Sequence, residues 1–571
     1  MKNKEIIKIL RLTASLLELY GENQFKVRSY QTAVYNLERT SVELSGLDSS
    51  DLAKLPGVGK SIAATIQELN QSGSSSTLDN LLKQTPIGIQ ELLKIKGLAA
   101  RKIKTAWDEL GIESAEELLR AAQRGILADL PGFGAKTQEN ILQVITFHLS
   151  SRDLFHYKDG HLTGIWLEEK LAEKFPEIRL NRTGSFRRKA EVLRRMEYLW
   201  ATENIRKATE YLDGMEELSK NIALSGPLRW RGEIANGSLN LDIRFCKPTE
   251  FGSKLLYYTG NIAHLHQSNN SGKQLSELLN QPYKLEDEIY KDFGWPAIIP
   301  ELREGLFEKE FLLDGKQDEI ITPDQIRGIL HNHSTYSDGK NSLLEMAESC
   351  KELGYEYFGI SDHSQTAVYA NGLDQDRLNQ QLQEIDQLNK KLAPFKIFKG
   401  IESDILNDGS LDYPASVLQA LDFVVASIHS NLNMDIEQAT KRLIRAIENP
   451  YTTILGHPTG RQLLKREGYP IDYEKVIEAC AENAVVIEIN AHPWRLDLDW
   501  RWVSKAVEKG IMISINPDAH EVAGLQDVQY GINVARKAGL PTKMTFNAMS
   551  VNELEQYLIK RSKQQLANNS N

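Results

Sequence analysis

From residue 328 onward, seven short apolar runs alternate with helix-like stretches, and all but one of the runs are followed by histidine or a carboxylate. The runs are Gly328–His331, Tyr357–Ser361, Lys396–Ile401, Phe423–Ile428, Thr452–Leu455, Val485–Ile489 and Met512–Ile515. Short apolar runs spaced by helical segments are the signature of parallel strands buried on both faces. Seven such repeats in roughly 240 residues predict a closed β/α barrel, whose reactive groups gather at the C-terminal ends of the strands.

The residues at those ends are metal-ligating types. His331-Asn332-His333 closes the first run, with Asp338 in Ser337-Asp338-Gly339 shortly after it. Asp362-His363 follows the second run, Glu402 the third, His429 the fourth, His457 the fifth and Asp518-Ala519-His520 the last. Six of the twelve histidines and three carboxylates are therefore expected at one barrel mouth. An isolated histidine there is usually a hydrogen-bonded structural residue; a full set on successive strands is not. Nine donors exceed the needs of one tetrahedral ion and suit two or three divalent ions. Mixed imidazole and carboxylate donors fit Mn²⁺, Zn²⁺ or Fe²⁺ better than Mg²⁺.

The first 150 residues read as short amphipathic helices broken by glycine turns. Leu55-Pro56-Gly57-Val58-Gly59-Lys60 and Leu130-Pro131-Gly132-Phe133-Gly134-Ala135-Lys136 each precede a helical run, and Ile95-Lys96-Gly97-Leu98-Ala99-Ala100-Arg101-Lys102 is a looser copy. Such glycines permit a hairpin whose N–H groups lie at a helix N-terminus, a sequence-independent phosphate cradle to which the lysines add charge. Gly57, Gly59, Lys60, Gly97, Lys102, Gly132, Gly134 and Lys136 are the candidate DNA contacts.

A net charge of −10 looks wrong for a DNA-binding chain, but it is unevenly spread: about +1 over 1–150, about −3 over 151–327 and about −8 over 328–571. The acidic share falls where metal cations would offset it. Mean hydropathy is −0.40 and no apolar run approaches a membrane span. Nothing near the start reads as a signal peptide, and three scattered cysteines (Cys246, Cys350, Cys480) argue against disulfides. A cytoplasmic protein is expected. Residues 150–320 mix helices with strand-like runs such as Ser238–Phe245, and the polar stretch from Asp314 to Asp324 reads as a linker.

His331-x-His333-x-x-x-x-Asp338-Gly339 with Asp362-His363 resembles the polymerase-and-histidinol-phosphatase (PHP) domain family over about 328–565. By analogy, His331, His333, Glu402 and Asp518 hold one ion; Asp338, His363 and His520 a second; Glu402, His429 and His457 a third. The chemistry implied is phosphoester hydrolysis, with Asp338 and Glu402 catalytic and Arg495 a candidate phosphate contact. The glycine hairpins look like helix-hairpin-helix motifs. Gly184-Ser185-Phe186-Arg187-Arg188, Tyr257-Tyr258-Thr259-Gly260 and Pro300-Glu301-Leu302-Arg303-Glu304-Gly305 resemble motifs of family X DNA polymerases, of which a PHP fusion is the bacterial form.

That resemblance implies a multidomain α+β and α/β chain. Helical domains at 1–80 and 81–150 would carry one and two hairpins. A nucleotidyltransferase-like palm (151–230) and thumb (231–315) would follow, then a linker (316–327) and a distorted (β/α)7 PHP barrel (328–565). The match fails where polymerisation needs it. The family places Asp-x-Asp eleven and thirteen residues beyond the motif glycine Gly184; here Arg195 and Glu197 stand there, and only Asp242 remains. Arg195 sets a cation where a cation must bind, although Ser185 and Arg188 persist to hold a phosphate. Asn261 replaces a usual Ser, and Thr65 occupies the position of the lyase lysine of the family. Three functions follow as expectations: a metal-dependent 3′–5′ nuclease at gapped DNA or 3′ ends with polymerisation lost, an active gap-filling polymerase with an attached exonuclease, or a small-molecule phosphatase. Protein partners are not legible.

Overall fold

A computed structural model describes the chain except residues 39, 41, 96, 235–238, 307, 309–314 and 570–571, and the side chains of 562 and 564–569. Lys96, Ser238 and Asp314 of the motifs above lie outside the described residues. The chain divides into two compact units, Met1–Arg152 and Asp153–Asn571.

The first unit is helical and has two cores. Ile6, Leu10, Leu17, Tyr30, Leu52, Ile62 and Ile66 fill one; Leu16, Leu19, Ile89, Ile103, Leu118, Leu127 and Ile145 fill the other. Helix Asn3–Leu19 serves both because its apolar residues lie on two faces.

The second unit begins with a five-stranded sheet: β1 (Arg179–Arg182), β2 (Met196–Ala201), β3 (Leu218–Lys220), β4 (Arg229–Ile234) and β5 (Leu239–Cys246). Its order is β1-β2-β5-β4-β3, with β2 and β5 parallel and the other pairs antiparallel. The palm–thumb boundary expected at 230/231 falls inside this sheet, because β4 pairs with β5 through Arg231 opposite Asp242. Hydrogen bonding along the ladder, not composition, sets the domain edge.

Seven parallel strands follow in sequential order: β6 (Gly328–Ile329), β7 (Tyr357–Ile360), β8 (Lys396–Asp404), β9 (Phe423–Ser427), β10 (Ile454–Leu455), β11 (Val486–Asn490) and β12 (Ile513–Asn516). A parallel bridge from Asn332 to Ala519 draws the first and last strands together into a nearly closed barrel. Alternate residues face opposite ways. Phe358, Ile360, Ile397 and Ile401 pack outward under the helices. Tyr357, Phe398, Phe423, Val425, Ile454 and Val486 fill the interior floor, closed by Phe546, Leu554 and Leu558. Gly400 is required there, because a Cβ would lie 2.2 Å from the Phe423 ring. The same parity that sends Phe398 to the floor sends Glu402 and Asp404 to the mouth.

Residues 316–327, expected as a linker, are packed instead. Ile321 and Ile326 join the barrel core, and Ile320 bridges to Pro541. Three apolar residues in a polar stretch were enough to dock it. The five-stranded sheet and the barrel also share one continuous apolar cluster running from Phe155 to Leu540. Lys158 pairs with Asp527 at 2.7 Å and Arg536 with Glu301 at 3.1 Å across that junction. No described helix is long and apolar enough to cross a membrane.

Candidate functional site

The nine predicted donors meet at the C-terminal mouth of the barrel. Glu402, 1% exposed, lies at the centre. One oxygen is 3.2 Å from His331 Nε2, 3.1 Å from His429 Nε2 and 3.0 Å from His457 Nε2. The other is 2.9 Å from His363 Nδ1 and 3.7 Å from His333 Nε2. Asp518 Oδ1 lies 3.1 Å from His333 Nε2 and 3.7 Å from His331 Nε2. Asp338 Oδ1 lies 3.7 Å from His363 Nε2 and 3.4 Å from His520 Nε2. Glu402 does not follow its strand, as the sequence suggests; β8 runs on to Asp404, so the carboxylate is held by ladder pairing with Val425.

Three groups of donors converge tightly enough to hold an ion: His333, Asp338, His363 and His520; His331, His333 and Asp518; and His363, Glu402 and His429. His333 and His363 each belong to two groups, a sharing that the analogy did not include. Five buried atoms in this nest, His331 Nε2, His333 Nδ1, His363 Nδ1, Glu402 Oε2 and His457 Nδ1, have no hydrogen-bond partner. Fully desolvated polar atoms that approach one another without hydrogen-bond geometry are costly unless a further species sits between them. Divalent metal ions fit that requirement and that donor set.

The same crowding sets the charge states: against burial, which would lower both, the carboxylates they face raise His429 to about 10 and His520 to about 9. Burial would raise the Glu402 carboxyl, but the imidazoles of His429, His331 and His363 hold it well below the carboxylate range. Burial, with His520 and His363 nearby, pushes His333 down to about 3, which keeps it in the neutral ligating form. His457 (φ +22°) and Asp518 (φ +52°) both hold the left-handed region, the kind of backbone strain that clusters at functional sites.

Further residues, all but Asp362 outside the sequence motifs, aim these ligands. Glu488 accepts from His331 Nδ1 at 2.7 Å and from the His457 backbone N–H at 2.8 Å, and is fixed by Asn516. Asp404 grips His429 Nδ1, and Asn490 donates to Asp518 at 3.0 Å. Asp362, buried, accepts from Ser334, Ser337 and Gln381 and shapes the loop before His363. A carboxylate on the second nitrogen of a ligating histidine fixes its tautomer and orientation, and losing one typically costs 10–100-fold. Glu488→Gln should therefore lower metal affinity by about that factor while leaving the melting temperature within a few degrees, read by metal titration and calorimetry. Unchanged affinity would show that Glu488 is only a core residue. Arg495 lies on the rim with Nε 3.4 Å from Asp518 Oδ2. Exposed Tyr369 stands 6.0 Å from the His363 ring, and the sequence carried no signal for it.

In the first unit the hairpins precede helices α1 (Lys60–Ser72), α2 (Ala100–Leu110) and α3 (Ala135–Ser151). Gly57, Gly97 and Gly132 have φ of +74°, +92° and +75°, which side chains disfavour. The N-caps of these helices, Gly59, Ala99 and Gly134, supply no side-chain cap, whereas Asn23, Asp48, Ser75 and Ser114 cap their neighbours. The first-turn N–H groups are thus left to an external acceptor. Lys60 and Lys136 are exposed beside them. Lys102 is not: it donates to the Gly132 carbonyl and lies 4.4 Å over the Phe133 ring, joining the second hairpin to the third. Thr65 is buried, its hydroxyl 3.3 Å from that of Tyr30.

The polymerase-like motif residues lie on the five-stranded sheet and its flank. Gly184 (φ +59°) backs onto the Glu197 carboxylate, which a Cβ would meet at 1.9 Å. Ser185 sits in the short helix Gly184–Arg187. Arg188, expected to hold a phosphate, is committed instead to Glu304 at 2.9 Å and the Thr259 carbonyl at 2.7 Å. Asn261 donates to the same Glu304. Asp242 is enclosed by guanidiniums, among them Arg195 at 3.8 Å.

A nest of metal-ligating side chains at the mouth of a seven-stranded barrel, in a chain that also carries a nucleotidyltransferase-like sheet and tandem glycine hairpins, defines a PHP-type barrel fused to helix-hairpin-helix modules. Comparison with known proteins agrees: residues 1–75 match the helix-hairpin-helix domain, 89–145 the SAM-like helix-hairpin-helix tandem and 330–492 the PHP domain. The "DNA polymerase/3'-5' exonuclease PolX" of Bacillus subtilis is 37% identical over 98% of this chain and 99% of its own length. A "Probable phosphatase" of Caldanaerobacter subterraneus is 29% identical over 42% of this chain, and one of Thermoanaerobacter sp. is 31% identical over 40%. The chain belongs to the family X DNA polymerases that carry a C-terminal PHP domain.

Proposed function

We propose that this chain is a DNA-end hydrolase: its barrel removes nucleotides from 3′ ends or gap margins, its hairpins hold the duplex without regard to sequence, and its polymerase-like sheet no longer polymerises. The observation that carries the reading is the set of buried imidazoles converging on Glu402 with unpartnered donor atoms. His331, His333, Asp338, His363, Glu402, His429, His457, Asp518 and His520 would hold two or three ions, Mn²⁺ or Zn²⁺ best suiting the donors and Fe²⁺ next. Bound ions supply an acidified water and offset charge on the phosphoryl oxygens. Arg495 is placed to meet a phosphate oxygen once Asp518 is shared with a cation. DNA is the partner, and the reducing cytoplasm suits three buried thiols.

The name of the Bacillus relative favours a second reading, an active gap-filling polymerase with an exonuclease. Arg195 at the position of a metal-binding Asp speaks against it. The phosphatase relatives cover only 42% and 40% of this chain, and the hairpins have no role in a small-molecule enzyme. Incubating the protein with Mn²⁺, dNTPs and a labelled gapped duplex separates the first two. The primer should shorten; if it lengthens, the polymerase reading replaces ours.

The hairpins predict a further behaviour. With about two phosphate contacts from each, DNA affinity should fall roughly 10³-fold between about 50 and 200 mM salt and vary little with sequence. Removing residues 1–152 should spare hydrolysis of a small chromogenic phosphodiester but cut digestion of gapped DNA at least about tenfold. Equal digestion of long DNA by the truncated protein would refute the targeting role.

A further inference from the structure

Aromatic side chains of the barrel are mostly covered. Among the described residues from 328 onward two rings are exposed, Tyr369 at 57% and Trp494 at 52%, and both belong to loops at the C-terminal mouth. Exposed rings scattered singly need no explanation, but two confined to the rim of one nest do. Tyr369 follows β7, its ring 6.0 Å from that of His363 and 6.4 Å from that of His429. Trp494 follows β11 and precedes Arg495, whose Nε lies 3.4 Å from Asp518. Strand order sets β6 and β12 between β7 and β11 on one side, and β8, β9 and β10 on the other. The two rings therefore flank the nest from opposite sides.

Both loops are braced. Thr366 Oγ1 donates to Asp404 at 2.9 Å, the carboxylate that also grips His429, and the Thr366 N–H donates to Asp412 at 3.0 Å. Gly372 closes the loop against the Ser364 carbonyl, which a Cβ would meet at 1.9 Å, and the Leu373 N–H returns to the His363 carbonyl at 2.8 Å. A metal-ligating histidine and an exposed ring thus share one fixed loop. The Trp494 N–H donates to His492 Nδ1 at 3.2 Å, and its carbonyl accepts from the Leu463 N–H at 2.6 Å. Its ring lies 6.2 Å from that of His156, which pairs with Val192 just ahead of β2 of the five-stranded sheet. Trp494 is therefore on the flank of the mouth toward that sheet, and a strand extending from the sheet meets it before the metal ligands. An aromatic face stacks on any base, whatever the sequence. We propose that Tyr369 and Trp494 are specificity-determining residues that stack the bases on either side of the scissile phosphate, Tyr369 the departing terminal base and Trp494 the base that stays on the strand. The proposal rests on hydrolysis of DNA ends at the barrel.

The test crosses residue with base, using the full chain in Mn²⁺. The substrates are a single-stranded oligonucleotide and two versions in which tetrahydrofuran replaces the terminal or the penultimate nucleoside. Wild type should lose about tenfold in kcat/KM on deletion of either base, and Tyr369→Ala and Trp494→Ala should each lose about tenfold on the intact strand. Tyr369→Ala should then be indifferent to the terminal base and Trp494→Ala to the penultimate one. Tyr369→Phe and Trp494→Phe, which keep a ring, should stay near wild type. A readout free of turnover uses 5-iodouracil in a strand whose last linkage is a hydrolysis-resistant phosphorothioate. At the terminal base it should photocrosslink to Tyr369, and at the penultimate base to Trp494. Both crosslinks in a protein that cleaves no substrate would refute the hydrolase reading but not the stacking. Losses from residue and base that simply multiply, absent crosslinks, or crosslinks in the reverse order would overturn the proposal.

Discussion

Glu402→Ala is expected to abolish metal-dependent phosphoester hydrolysis, with kcat/KM falling by more than about 10³-fold. The basis is that removing even an orienting partner of a ligand costs about 10–100-fold, whereas Glu402 contacts five of the six imidazoles itself. Its loss leaves those rings, all nearly buried, without the central anion that makes the nest hospitable to cations. His333→Ala and Asp518→Ala should behave alike, since the pair lies 3.1 Å apart within one ligand group. Elemental analysis should show reduced metal content in all three. DNA affinity should stay within about twofold, because the hairpins belong to a separate unit with its own cores. Retained hydrolysis in these variants would remove the barrel as the seat of the activity.

The second large effect is an absence of synthesis. In a background carrying His333→Ala, so that degradation cannot mask extension, the protein should add no nucleotides to a gapped primer in Mg²⁺ or Mn²⁺. Polymerisation needs carboxylates to clamp two cations between primer and triphosphate. Here the remaining aspartate, Asp242, is already saturated by Arg229, Arg231, Arg244 and Arg195. One guanidinium about 4 Å from a cation costs about 4 kcal/mol per unit charge at the screening typical near a protein surface, about 10³-fold in binding. Arg195→Asp with Glu197→Asp should therefore restore little, because Arg229 and Arg231 would still occupy Asp242. Adding Arg229→Gln and Arg231→Gln to that pair should improve cation binding at the sheet stepwise. Efficient extension by the unaltered sheet would show that Glu197 and Asp242 suffice, and the gap-filling reading would stand in place of ours.

Much of the barrel and its nest was legible in the sequence because both rest on local patterning. Apolar runs report buried strands, and a histidine just beyond a run must emerge at the mouth whatever the helices do. The hairpin glycines were legible for a similar reason: Gly57, Gly97 and Gly132 need left-handed backbone, a property of the residue itself. Tertiary structure decided whatever depends on partners distant in the chain. Glu488 looks like any strand residue until folding brings it 157 positions back to His331. Lys102 reads as a phosphate contact until Gly132 claims it, and Arg188 until Glu304 does. Residues 316–327 read as a tether because polar residues outnumber apolar ones, but burial of Ile320, Ile321 and Ile326 outweighed composition. Arg195 by itself raised the expectation that a cation site is lost. Only the pairing of β2, β4 and β5 showed which guanidiniums surround Asp242, because register alone determines which side chains share a face.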